Sequence, residues 1–160
     1  MNALTIRDLV EADLEATSRL AAMLVRQHHA FDADRFMLVE PVEQGYRWFL
    51  GTQLGRAGVV LLVAQVEGVI AGYLYGAVEE RNWELLLERH GAIHDLFVDE
   101  AFRDRGVAKA LLGEAFRRLD PVVPRIVLVA ATANGRAQRL FASLGFRQTM
   151  IEMTRTPPPE

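Results

Sequence analysis

A change of hydrophobic period after Val98 constrains the fold of this chain more strongly than any other feature of its sequence. Ile93, Phe97 and Val98 belong to a run rich in β-branched and aromatic residues, which predicts a buried strand. Gly106 follows shortly afterwards, and from Val107 onward the apolar residues recur at helical spacing. The segment therefore predicts a strand, a turn and a helix in succession, with the turn at the N-terminus of the helix.

The predicted turn has the properties of an anion-binding site. The first N–H groups of a helix have no partners within it, and the helix dipole is positive at that end, so main-chain groups alone can hold a phosphate. Gly106 allows a ligand to approach the backbone, and Arg103, Arg105 and Lys109 add positive charge. We therefore expect a phosphate-bearing ligand at this turn.

The rest of the chain alternates between the same two periods. Further strands are predicted over residues 4–9, 59–64, 69–75, 125–130 and 146–153, and helices over residues 11–29, 41–55, 107–119 and 135–144. Glu67 and Gly68 predict a tight hairpin between two of the strands, and residues 81–90 predict a loop with a helical turn. This order predicts an α/β fold of mixed α+β type, with a mixed sheet and helices on both of its faces.

Composition limits the class of protein. The 160 residues predict a single domain over residues 1–154, followed by a disordered tail over residues 155–160. A formal net charge of −3 with interspersed signs gives no basic surface for nucleic acid, and no apolar run is long enough to span a membrane. The N-terminus lacks the features of a signal peptide, so a cytoplasmic protein is expected. The absence of cysteine excludes an acyl-cysteine intermediate, and residues 28–34 match no zinc-binding spacing, so no metal is expected.

Two motifs resemble those of a known family. Arg103, Gly106 and Ala108 occupy the three defining places of the pattern Arg/Gln-x-x-Gly-x-Gly/Ala, and the run from Asn134 to Phe146 is similar to Asn-x-x-Ala-x-x-Leu-Tyr-x-x-x-Gly-Phe. Both patterns, in this order of elements, are those of the GNAT superfamily of N-acetyltransferases. The resemblance implies a GNAT fold with a mostly antiparallel sheet of six to seven strands, and a splay between the fourth and fifth strands that admits the pantetheine arm of acetyl-CoA.

The resemblance also implies which residues meet acetyl-CoA, the expected co-substrate. They are Leu96, Phe97, Val98, Arg103, Asp104, Arg105, Gly106, Val107, Ala108, Lys109, Asn134, Ala137 and Phe141. Leu96 falls where the family's backbone N–H faces the thioester oxygen. Phe141 stands where many members carry a tyrosine that protonates the departing thiolate, so that role is absent here or is filled by solvent, Tyr73 or Tyr75.

The predicted catalytic residues are His94 and Asp95. By the alternation of a strand, His94 projects to the same side as Leu96 unless a bulge intervenes, and its imidazole can accept a proton from an ammonium near neutral pH. Asp95 then points the other way, as a second candidate base or as a carboxylate that attracts the amine. The candidate acceptor contacts are Phe31, Glu79 and Trp83, with Asp32, Asp34 and Glu80 as further members of the same group.

These observations favour an N-acetyltransferase that transfers acetyl directly to a primary amine. The run from His94 to Val98 looks like the Glu-Asp-Phe-Phe-Val run of diamine acetyltransferases, which favours a diamine or polyamine, while a peptide or an aminoglycoside remains open. A non-catalytic acyl-CoA sensor is the alternative suggested by Phe141, and a different nucleotide-binding domain is a second rival that lacks its usual glycine motifs here. A homodimer is expected at the level of the family only.

Overall fold

A computed structural model describes residues 3–159 and is organised around one sheet. Its strands are β1 (Leu4–Asp8), β2 (Val59–Val66), β3 (Val69–Glu79), β4 (His90–Val98) and β5 (Ile126–Leu128). Its helices are α1 (Leu14–Phe31), α2 (Val42–Gln53), α3 (Val107–Leu119) and α4 (Gly135–Ser143), with single turns of 3-10 helix at Glu11–Asp13 and Glu100–Phe102. Residues 1 and 2 of the predicted domain and residue 160 of the predicted tail lie outside the described residues.

The sheet is mixed and mostly antiparallel, as the sequence predicts. Its order is β1-β2-β3-β4-β5, and each neighbouring pair is antiparallel except β4 and β5, which are parallel. The β2–β3 hairpin turns at Glu67 and Gly68, whose φ angles are 50° and 84°. Two residues with positive φ match the tight turn that follows the twist of the strands.

Helices cover both faces of the sheet and enclose two hydrophobic clusters. Alternate residues of one strand serve the two clusters, because successive side chains of a strand point to opposite faces. Leu62 and Leu74 pack with α3 and α4, whereas Val63, Tyr73 and Phe97 pack with α1 and α2. The two faces of the sheet therefore have separate sets of neighbours.

β4 and β5 are paired over a short distance and then separate. The pairing joins Gly91 to Ile126, Ala92 to Val127 and Ile93 to Leu128. Beyond Ile93, β4 continues to Val98 without a described partner strand on that side. This is the splay that the family resemblance predicts.

The C-terminal part of the chain differs from expectation. The described sheet has five strands rather than six to seven, and residues 146–153, predicted as a last strand, form no strand. Met150, Ile151 and Met153 are 72%, 82% and 89% exposed. Their spacing does not alternate, so the segment has no single apolar face, and β5 offers an edge of only three residues for pairing. An ion pair between Arg35 and Glu152 holds the segment against the residues that follow α1.

No helix among residues 3–159 has the length and apolar character needed to cross a bilayer.

Candidate functional site

The turn before α3 has an open, uncapped helix N-terminus. Asp104 and Gly106 have φ angles of 61° and 77°, and a Cβ on Gly106 would meet no atom within 4 Å. The first described intrahelical bond runs from the N–H of Ala110 to the carbonyl of Gly106, so the N–H groups of residues 107–109 are left for another acceptor. No acidic side chain lies in the first turn of α3. Backbone and charge here fit a phosphate-bearing ligand.

Arg103 connects the turn to the end of β4. Its Nε donates to the carbonyl of Val98 at 3.1 Å, and its guanidinium lies 5.6 Å from the ring centroid of Phe97. Arg105 lies over the ring of Phe102 at 5.6 Å. Arg103 therefore braces the turn against the strand, and the strand residue Val98 is tied directly to the candidate phosphate site.

The start of α4 lies beside the same turn. The side-chain oxygen of Asn134 accepts a hydrogen bond from the N–H of Ala137 at 3.2 Å and caps the helix. Arg136 pairs with Asp104 of the phosphate turn at 2.8 Å. The two motif segments, which are separated in sequence, thus meet at one end of the splay.

Four of the residues assigned to acetyl-CoA have side chains in the protein core. Phe97, Val98 and Val107 are 6%, 9% and 2% exposed, so they can offer a ligand main-chain groups only. Phe141 is 9% exposed and packs against Phe146, with ring centroids 5.9 Å apart. Phe141 therefore has no proton donor to offer at the splay, and its ring packs in the hydrophobic cluster that contains the buried residues of α3.

A β-bulge in β4 changes the direction of His94. Ile93 pairs with Gly76 and Asp95 with Tyr75, so His94 has no partner of its own on β3. The ring of His94 stacks on Tyr75 with centroids 5.1 Å apart. His94 and Asp95 consequently share the α1–α2 face, and Leu96 packs on the α3 side. Strict alternation, which places His94 on the same side as Leu96, is wrong here because the extra residue shifts the phase.

His94 forms a hydrogen bond with a carboxylate. Its Nε2 lies 2.9 Å from Oε1 of Glu79, and the two side chains are 40% and 44% exposed. An ionised carboxylate accepts hydrogen bonds only, so Nε2 carries the hydrogen and Nδ1 is the acceptor of the neutral ring. Glu79 thereby fixes both the tautomer and the orientation of a candidate base.

Asp95 is partly buried and is hydrogen-bonded to a tyrosine. The hydroxyl of Tyr73 donates to Oδ2 of Asp95 at 3.0 Å. Burial raises the pKa of Asp95, while the hydrogen bond from Tyr73 and the charges of His94 and His28 act in the opposite direction. Burial and the nearby Asp95 charge raise the pKa of Tyr73 well above its usual value. Tyr73 is thus a weak acid whose proton is committed to Asp95, which disfavours it as a replacement for the missing tyrosine.

Helix α2 supplies site residues that the sequence did not single out. Burial and Asp95 together raise the pKa of Tyr46. Phe49 contacts Tyr75 edge to face at 5.4 Å, and the amide oxygen of Gln53 accepts from the Tyr75 hydroxyl at 3.5 Å. The shared face of α2 is visible in the sequence as an aromatic stripe, but its position over β3 depends on tertiary packing.

The expected acceptor residues are distributed over separate places. Glu79 lines a cavity of about 320 Å³ between α2 and β3, whereas Trp83 lines another of about 350 Å³ in the β3–β4 loop. Trp83 is 74% exposed and carries Arg81 over its ring at 5.4 Å. Phe31 lies at the end of α1 and meets the ring of His28 at 5.7 Å. Glu79 is therefore the acceptor candidate that the structure brings to His94.

Within residues 3–159, no group of three or more His, Asp or Glu side chains is arranged to hold a metal ion. The titratable side chains around His94 on this face include Glu79, Tyr75, and the pair of Tyr73 and Asp95.

Comparison with known proteins agrees with this geometry. The family model described as "Acetyltransferase (GNAT) family" matches residues 20–146. A protein of Archaeoglobus fulgidus named an uncharacterized N-acetyltransferase is 26% identical over 147 residues, which cover 88% of this chain and 93% of that protein. L-amino acid N-acetyltransferase AaaT of Escherichia coli is 32% identical over 93 residues, or 57% of this chain and 55% of that protein.

Solved structures share the fold. A variant of the BH1408 protein of Bacillus halodurans superimposes with a TM-score of 0.84 at 23% identity, covering 96% of this chain and 99% of the other. Aminoglycoside N-acetyltransferase AAC(6')-Iy, solved in complex with CoA, gives a TM-score of 0.78 at 19% identity over 98% and 96% of the two chains. From the match over most of its length, together with the splayed sheet and both motifs, the chain belongs to the GNAT family of acetyltransferases.

Proposed function

We propose that this protein transfers the acetyl group of acetyl-CoA directly to a primary amine of a small molecule. The observation that carries the proposal is the bulge at His94, which places an imidazole oriented by Glu79 on the strand that borders the splay. A base, an unpaired strand edge and a phosphate-binding turn then lie along one continuous segment. Direct transfer is the simpler route because the chain has no cysteine to carry the acetyl group.

In the proposed reaction, main-chain groups position the donor and side chains position the acceptor. The N–H groups at the start of α3 hold the diphosphate, and the free edge of β4 near Leu96 and Val98 bonds the pantetheine and polarises the thioester carbonyl. His94 accepts a proton from the attacking amine, directly or through water, with Glu79 holding the ring in place. The thiol has a pKa of about 8.5, so thiolate can leave without a dedicated acid at Phe141.

The acceptor that we propose is a small primary amine attracted by carboxylates. Glu79 and Asp95 lie on the same face as His94 and favour a cation as it approaches. On the sequence resemblance alone, diamines and polyamines are acceptors to test, because the run from His94 to Val98 resembles that of diamine acetyltransferases. Amino acids and aminoglycosides follow, since the named relatives act on them.

A catalytically silent acyl-CoA sensor is the second candidate. One observation favours it: Phe141 is buried and stands where many GNAT family members carry the tyrosine that protonates the departing thiolate. A sensor should bind acetyl-CoA and transfer nothing, whereas the enzyme should release CoA in proportion to acetylated amine.

The deciding experiment separates binding from turnover. Calorimetric titration measures the affinity for CoA, and CoA release is then followed with acetyl-CoA and each amine of a panel. Acetylated product confirmed by mass spectrometry supports the enzyme. Binding of CoA without transfer to any amine supports the sensor, and failure to bind CoA contradicts both.

We also propose that the protein is cytoplasmic and that it forms a homodimer. Light scattering of the purified protein measures the mass of the particle, which distinguishes a monomer of 17.9 kDa from a dimer.

A further inference from the structure

The cavity between α2 and β3 contains two opposite charges. Its lining includes the carboxylate of Glu79 and the guanidinium of Arg56, with Phe49 and Tyr75 forming aromatic walls. Its volume of about 320 Å³ is at the lower end of the range for small-molecule pockets. A ligand that fills it meets a cation and an anion at the same time.

Arg56 has no carboxylate partner among the residues that the structure describes. One of its terminal nitrogens donates to the amide oxygen of Gln53 at 3.2 Å, and within residues 3–159 it takes part in no ion pair. A guanidinium has five N–H donors in a planar fork, so this single bond leaves donors for a second partner. A planar carboxylate is the partner that the fork matches.

Tyr75 contacts the hydrogen-bond partner of each charged group, His94 for Glu79 and Gln53 for Arg56. The Glu79 charge raises the pKa of the Tyr75 phenol and the Arg56 charge lowers it, both as smaller contributions than burial. Its ring stacks on His94, and its hydroxyl approaches Gln53, which also accepts from Arg56. The candidate base and the cationic end of the cavity are thus linked through this one tyrosine and the amide of Gln53.

We infer that Arg56 selects acceptors that carry a carboxylate in addition to the reacting amine, so that the preferred substrate is an amino acid. This inference rests on the proposed transfer to a primary amine. The carboxylate pairs with Arg56, and the amine lies near Glu79 and His94 at the other end. A diamine of the same length brings its second ammonium towards Arg56, where like charges repel.

Isosteric acceptors provide the test. At each chain length, an ω-amino acid is compared with the corresponding alkylamine and diamine; for four carbons these are aminobutyrate, butylamine and diaminobutane. In a second series, L-amino acids are compared with their amides. The wild-type protein should acetylate the acid with kcat/KM about 10-fold or more above that of the alkylamine, since a bond to a charged partner is made. The chain length with the largest ratio reports the spacing of the two ends.

Substitutions of Arg56 localise the effect. Arg56→Gln should abolish the preference for the acid through KM, Arg56→Lys should retain part of it, and Arg56→Glu should shift the preference to the diamine. Arg47→Gln is the matched control, because it removes the same charge from an exposed position on α2 outside the cavity. It should leave every ratio unchanged.

The outcomes distinguish this inference from the proposed function. Equal acetylation of acid and alkylamine at every length, unchanged in Arg56→Gln, overturns the inference and leaves transfer to amines intact. If no amine is acetylated, the proposed function fails, and calorimetric titration with aminobutyrate and butylamine then decides the inference. The inference is supported if aminobutyrate binds the wild type and this binding is lost in Arg56→Gln. It is overturned if aminobutyrate binds no better than butylamine, or binds the wild type and Arg56→Gln equally.

Discussion

The hydrogen bond from Tyr73 to Asp95 gives a quantitative test of the contacts on the α1–α2 face of the sheet. Tyr73 is 0% exposed, and its hydroxyl donates to the carboxylate at 3.0 Å. Tyr73→Phe keeps the ring in the α1–α2 cluster and deletes only the donor. The carboxylate then stays in its partly buried position with one hydrogen bond fewer.

The expected cost follows from the charge of the acceptor. A hydrogen bond to a charged group contributes about 1.5–3 kcal/mol, and a neutral one about 1 kcal/mol. In the Asp95→Asn background the acceptor is a neutral amide oxygen, so the same change should cost about 1 kcal/mol less than in the wild type. The difference is the coupling energy between the two side chains.

The pH dependence has a defined sign. The bond from Tyr73 favours the ionised form of Asp95, so its contribution is present above the Asp95 pKa and is lost as the pH falls through that pKa. Because burial raises the pKa of Asp95, the loss should begin above the usual carboxyl range. The gap in stability between wild type and Tyr73→Phe should therefore narrow on the acid side.

Urea unfolding of the four proteins of this cycle, followed by circular dichroism at several pH values, measures both effects. Tyr75→Phe is the control: its hydroxyl is 3.5 Å from Gln53 in a partly exposed setting, and its loss should cost less than about 0.5 kcal/mol. A coupling energy below about 0.3 kcal/mol at neutral pH would refute the assignment of a charged bond.

Three further perturbations test the turn, the base and the fold. Gly106→Glu should weaken CoA binding by about 100-fold, because a carboxylate enters the phosphate position, whereas Gly113→Glu, in open space on the same helix, should bind CoA normally in calorimetric titration. His94→Ala should lower kcat by about 100-fold with unchanged CoA affinity, and a pH–rate profile identical to that of the wild type would remove His94 from the mechanism. Arg7 lowers the pKa of Asp13, so this ion pair should stabilise the protein above the usual carboxyl pKa and lose its effect as the pH falls through the lowered value. Asp13→Asn should have a lower free energy of unfolding than the wild type at neutral pH, and the difference should shrink in acid. An equal difference at both pH values, measured by urea unfolding, would contradict this.

The elements determined by local pattern were predictable from the sequence. The period of α3 and the turn at Glu67 and Gly68 depend on residues close together in the chain, and both are found where the pattern places them. The capped start of α4 at Asn134 is likewise a local signal. The two family motifs lie at the starts of α3 and α4, so the family was recognisable before any tertiary contact was known.

Features that depend on pairing between distant segments were not predictable. The bulge at His94 exists only in the register of β4 against β3, and the sequence of β4 alone gives no sign of it. The strand expected over residues 146–153 has apolar residues but no adequate edge to join. The cavity with Arg56 requires α2 to lie over β3, which no local period reveals.

The division of the interior into two clusters has an evolutionary consequence. The phosphate turn precedes α3 and meets α4, whereas His94, Asp95 and the cavity with Arg56 lie on the face that α1 and α2 cover. A substitution at Arg56 or Gln53 can therefore alter the choice of amine without disturbing the groups that hold CoA. The sheet acts as a partition across which one half of the molecule can diversify while the other stays constant.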